Sequence, residues 1–83
     1  MKMKRAYDPT QTGPNLVRLA NMQGLKTNRQ LMHYFRVTST TIDNWKSGKK
    51  APSIDKMVEF CGEFGYSLDD VVVYTEFEEY EEY

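Results

Sequence analysis

Eighty-three residues suffice for one domain with a modest core and for little beyond it. A single cysteine and a single histidine leave no material for an internal disulfide, a metal cage or a catalytic constellation, and no Gly-rich phosphate loop is present, so no enzyme, metal or other cofactor is expected. The net charge of −1 hides a split: residues 1–56 hold all 11 Lys and Arg against three acids, and residues 57–83 hold nine acids and no base. Such segregation points to one half facing a polyanion and an acidic half turned elsewhere.

The basic start, with Lys2, Lys4 and Arg5, has no apolar stretch behind it of the kind a signal peptide needs. No run approaches the ~18 consecutive apolar residues of a membrane span. A cytoplasmic protein without a membrane partner is therefore expected. Pro9, Gly13 and Pro14 interrupt any periodicity, and residues 1–14 read as a basic, partly mobile arm. Asn15 is the expected N-cap of a first helix running from Leu16 to about Gln23, with Leu16, Leu19 and Ala20 inward and Gly24 as the stop.

Thr27 and Gln30 form a capping box that opens a second helix with Leu31 and Phe35 on its apolar face. His33 falls on the outer side. Val37 is a buried turn residue, and Thr38 caps a third helix in which Ile42 and Trp45 face inward. Ser39, Thr40, Asp43, Asn44 and Ser47 are left outward. Gly48 ends this helix, Lys49 and Lys50 follow, and Pro52 and Ser53 prepare the next one. Two short helices joined by about three residues, the second exposing small polar side chains, have the one-dimensional pattern of a helix-turn-helix.

From Ser53, the residues Ile54, Met57, Val58, Cys61 and Phe64 give the spacing of a helix packed on the core, with Cys61 as a small core hydrophobe and Gly65 as the end. Ser67 caps a brief helix beginning Leu68-Asp69-Asp70. Beyond it, Val71, Val73, Thr75 and Phe77 alternate as in a strand, whereas Val73, Phe77 and Tyr80 match a continued helix. Residues 75–83 form an acidic aromatic tail with more apolar surface than a solvated terminus needs, which favours pairing with another copy or with a protein partner.

In this order and spacing the chain resembles the Cro/C1-type (Xre-like) helix-turn-helix family over roughly residues 15–74. The residues that carry the resemblance are Thr27, Leu31, Phe35, Val37, Thr38, Ile42, Trp45, Gly48, Lys49, Pro52 and Ser53, together with the closing segment from Gly65 to Asp70. It implies an all-α, five-helix, lambda-repressor-like DNA-binding domain, to which the tail adds a short strand or a helix extension. It departs from the family at Met32, where Ala is usual, and at Arg36, where the turn usually has Gly. Lys46 and Asn21 replace the usual Glu and its basic partner.

The resemblance further implies a phage or bacterial transcription regulator whose third helix enters the major groove. Ser39, Thr40 and Asn44, with Thr41 and Asp43 next in line, would meet base edges, since Asn bonds adenine bidentately and Ser or Thr bonds either donors or acceptors. Asn28, Arg29, Lys46, Lys49 and Lys50 would hold phosphates. Asp43 is unfavourable near a phosphate unless it accepts from a cytosine or a neighbouring side chain. The expectation is a repressor rather than an activator, binding double-stranded DNA as a homodimer on a pseudo-palindromic operator. The alternative is a protein-interaction module or antitoxin on the same fold, with the acidic tail engaging the partner.

Overall fold

A computed structural model describes residues 2–79 of the chain as β1 (Lys2–Tyr7), α1 (Pro9–Met22), α2 (Asn28–Phe35), α3 (Ser39–Ser47), α4 (Ile54–Phe64), α5 (Leu68–Val71) and β2 (Tyr74–Glu79). The all-α expectation is thereby corrected. The two strands pair antiparallel, from Tyr7 opposite Tyr74 to Lys2 opposite Glu79, so the described domain combines five helices with a two-stranded ribbon made from opposite ends of the sequence. Of the two readings offered for the tail, the strand holds over Tyr74–Glu79. The part of that expectation resting on residues 80–83 lies outside the described residues.

Residues 2–7 form a strand, and the first helix opens seven positions earlier than expected, with Asp8 in place of Asn15 as its cap. Asp8 caps it, its carboxylate accepting from the Thr10 amide at 3.1 Å, and Pro9 follows where a missing N–H is harmless. Pro14 sits inside the helix. Its ring removes one intrahelical bond, to the Thr10 carbonyl, and leaves that carbonyl to neighbours. Asn15 lies on the helix, where its Nδ2 donates to the Asp70 and Val71 carbonyls at 2.9 Å each and closes the C-terminal end of α5.

The ribbon is tied to the helices at its foot. The Asp8 amide donates to the Val73 carbonyl at 2.9 Å, and the Val73 amide donates to the hydroxyl of the fully buried Thr12 at 3.1 Å. Beyond the foot every residue of β1 is exposed. The radius of gyration of 14.8 Å exceeds the ~12 Å of a compact chain of this length, because the ribbon projects from the helical body. Opposite charges line it: Lys4 pairs with Glu79 at 2.6 Å, Arg5 pairs with Glu76 at 3.4 Å, and the Arg5 guanidinium also lies over the Tyr74 ring. The charge split along the sequence is therefore partly cancelled within the ribbon.

Leu16, Val17, Leu19, Ala20, Leu31, Phe35, Ile42, Trp45, Met57, Phe60, Cys61 and Val71 form the core. Phe35 packs edge-on against Trp45, and Phe60 stacks on Tyr66. Tyr34 donates its hydroxyl to Glu63 at 2.6 Å, and partial burial together with that carboxylate pushes its pKa above the ordinary tyrosine value. On α4 the expected inward face is rotated. Met57, Phe60 and Cys61 are buried and Phe64 is half-buried, whereas Ile54 and Val58 are 55% and 50% exposed. The helix carries two apolar stripes, and Phe60 brings the bulkier side chain to the core. No helix among the described residues is long and apolar enough to cross a membrane.

Arg36 caps α2 in the left-handed region, at φ 59° and ψ 48°, while the Val37 amide reaches the Met32 carbonyl at 3.1 Å. An L side chain there costs roughly 1–2 kcal/mol. Its exposed ion pair with Glu59, at 2.8 Å, returns less than that. Arg36→Gly is expected to stabilise the protein by about 0.5 kcal/mol, after allowing for the greater freedom of Gly in the unfolded chain. Arg36→Ala, which keeps the strain and loses the pair, should destabilise it slightly. Urea midpoints of the two variants and the parent give the comparison.

Candidate nucleic-acid interface

The second and third helices are built by their caps. The Thr27 hydroxyl accepts from the Gln30 amide at 3.1 Å while Gln30 Oε1 accepts from the Thr27 amide at 3.0 Å, which completes the box that opens α2. Thr38 accepts from the Thr41 amide at 3.3 Å to open α3, and Gly48 closes it at φ 78°. Ile42 is fully buried and Trp45 is 3% exposed, which fixes the rotation of α3 about its axis. With those two side chains inward, Ser39, Thr40 and Asp43 face solvent and Thr41 and Asn44 stand at the margins.

The candidate residues fall into three settings. Ser39 and Thr40 lie exposed in the first turn of α3. Among the described residues their hydroxyls have no partner, and neither does the side-chain amide of Asn44, whose backbone carbonyl accepts from the Lys50 amide at 3.2 Å. Thr41 is different, since its hydroxyl lies 3.1 Å from that of Thr38 and is engaged in the cap.

Asn28, Asp43 and Lys46 are brought together across the angle between α2 and α3. Asn28 Nδ2 donates to Asp43 at 3.1 Å, and its Oδ1 accepts from the Lys46 ammonium. Asp43 therefore has a neighbouring side-chain donor. Lys46 neutralises the same corner, so this trio holds the two helices in register while keeping its polar atoms at the surface.

Arg29, Lys49 and Lys50 are exposed, and among the described residues none has a carboxylate within ion-pair distance. Arg29 stands in the first turn of α2, where backbone amides point outward without intrahelical partners. Lys49 and Lys50 follow the end of α3. Three uncompensated cations thus flank a helix face of short hydrogen-bonding side chains.

Asn21 and Lys46 line one groove between α1 and α3 without bonding each other. Lys46 turns to Asn28, and Asn21 Oδ1 is buried with no partner among the described residues. The geometry that an ion pair would otherwise hold is set instead by backbone contact. A Cβ on Gly13 would lie 2.5 Å from the Trp45 carbonyl oxygen, and one on Gly48 would meet the Thr10 carbonyl. Neither the close approach at Gly13 nor the part of Asp8 and Thr12 in fixing the start of α1 is among the expectations from the sequence. The available signal was Asp8-Pro9, an N-cap followed by a first-turn proline, obscured by Gly13 and Pro14 downstream.

Neither a family model, nor a curated protein, nor a solved structure matches this chain.

Proposed function

We propose that the protein binds double-stranded DNA in a sequence-specific way and regulates transcription, as a repressor that occupies its operator as a dimer. The observation that supports this best is the face of α3. Ser39, Thr40 and Asn44 present hydrogen-bonding groups without partners among the described residues, on a helix held by Ile42 and Trp45 and flanked by Arg29, Lys49 and Lys50. Short side chains on an exposed helix face suit the major groove, where they read base edges directly or through water. The exposed cations and the amides that open α2 suit phosphates. Occupying a site is enough to repress.

Selection of bound sequences from a random DNA pool tests the reading. A defined motif is expected for the parent. Asn44→Ala should relax preference at one position, where a bidentate contact discriminates by roughly 1–3 kcal/mol. Lys50→Ala should weaken all sites alike. If two subunits neutralise on the order of 6–8 phosphates, affinity falls by roughly three to four powers of ten between 50 and 200 mM salt. Recovery of no motif, with affinity insensitive to salt, would overturn the proposal.

A further inference from the structure

A run of exposed apolar side chains lies on the ribbon and α4, away from the face of α3. On the ribbon, the pairing register sets Met3, Arg5 and Tyr7 on the same side as Tyr74, Glu76 and Glu78. Met3 and Tyr7 are 63% and 50% exposed, and Tyr74 is exposed as well. Tyr7 also lines a groove with Val72 and Ile54 at the foot of the ribbon, from which the exposed Ile54 and Val58 continue along α4. A two-stranded ribbon that covers nothing is marginal in water, and a patch of this kind marks a protein contact.

We propose that this surface is where two copies of the chain meet, about a two-fold axis running along the ribbon. A closed pair requires a surface complementary to itself. The charges on the strands select the arrangement. Joining the ribbons edge to edge about a two-fold sets the basic β1 beside β1, or the acidic β2 beside β2. Packing them face to face about an axis across the strands opposes like strands in the same way. With the axis along the strands, β1 of each copy lies over β2 of the other. Arg5 then faces the acidic strand, and Met3, Tyr7 and Tyr74 are enclosed between the ribbons. Ile54 and Val58 flank that contact at the foot. The inference deepens the DNA-binding reading, which calls for a dimer, but it rests on apolar exposure and charge and is measured without DNA.

Sedimentation of the full chain in the absence of DNA should show a reversible dimer. Ile54→Asp should raise its dissociation constant on the order of 30-fold or more. Because Ile54 is half-exposed, the melting curve of the monomeric variant should show a folded protein. The double exchange Arg5→Glu with Glu76→Arg keeps the pair within each ribbon and restores opposite charges between identical copies. It should dimerise with itself but form few hybrids with the parent in native mass spectrometry, because hybrids set like charges together. A parent that stays monomeric at the highest concentration reached, or an Ile54→Asp dimer of parental strength, would overturn the surface. Hybrids in statistical proportion would overturn the axis. Either result leaves the effect of Asn44→Ala on DNA selection untouched.

Discussion

Replacing Gly48 with alanine is expected to destabilise the protein by about 3 kcal/mol, a large fraction of what a domain of this size has to lose. Two costs combine. Gly48 stands at φ 78°, where an L side chain is disfavoured by roughly 1–2 kcal/mol, and its Cβ would meet the Thr10 carbonyl of α1. Thr10 cannot yield easily, because it sits in the first turn of a helix fixed by the Asp8 cap. Gly65→Ala serves as the reference, since Gly65 shares the positive φ at 75° but a Cβ there meets nothing within 4 Å. Its cost should stay near the conformational penalty alone, and the difference between the two variants measures the contact.

Gly13 permits the same comparison with the sign of the propensity term reversed. Both Gly13 and Gly62 lie inside helices, where Gly→Ala is ordinarily worth roughly 0.5–1 kcal/mol of stability. Gly62→Ala, with open space around it, should realise that gain. In Gly13→Ala the new methyl would sit 2.5 Å from the Trp45 carbonyl oxygen and 2.9 Å from its Cα, and both atoms are backbone. Overpacking of that kind costs roughly 1–3 kcal/mol, so steric conflict exceeds propensity and the variant should be less stable than the parent. Urea unfolding of the four variants gives the ranking. Because Gly13 and Gly48 set how closely α1 and α3 approach, their variants should also tilt α3 and, on the proposed function, weaken DNA binding beyond the loss of folded protein.

The contrast between the caps and the ribbon indicates what kinds of information a local reading of the chain contains. Thr27, Thr38, Ser53, Gly48 and Gly65 are legible because each interacts with a backbone group one to four residues away, and the structure has helices beginning and ending at these positions. Trp45 and Ile42 are legible because a helix of nine residues has only one stripe apolar enough to bury. The rotation of α4 was not. Met57, Phe60, Cys61 and Phe64 also satisfy helical spacing, and the choice between stripes depends on Phe35 and Tyr66, which pack on Phe60 from elsewhere in the chain. Ribbon pairing joins residues more than 65 positions apart, and nothing near Lys4 announces Glu79. Of the candidate interface, the outward residues of α3 follow from its apolar stripe. The bond between Asn28 and Asp43 follows only from how α2 and α3 cross.

Thr12 is where the ribbon is joined to the helical body, and its removal should separate the behaviour of the two. The hydroxyl donates to the Asp8 carbonyl at 2.9 Å and accepts from the Val73 amide at 3.1 Å, in a position with no solvent exposure. Thr12→Val preserves shape and deletes both bonds. The Asp8 carbonyl still receives the Thr12 amide at 3.2 Å, but the Val73 amide is left without a partner. A buried donor stranded in this way costs roughly 1–3 kcal/mol. The loss falls at the start of β2, so hydrogen exchange should accelerate first in Tyr74–Glu79 and Lys2–Tyr7 while the amides of α1 to α4 keep their order of protection. Thr12→Ser separates bonding from packing: it loses a methyl group, at roughly 1 kcal/mol, and keeps the hydroxyl. Ribbon protection should survive in Thr12→Ser and fail in Thr12→Val. If both variants lose stability equally with the ribbon protected in each, then packing around Thr12, and not its hydrogen bonds, holds the two ends of the chain together.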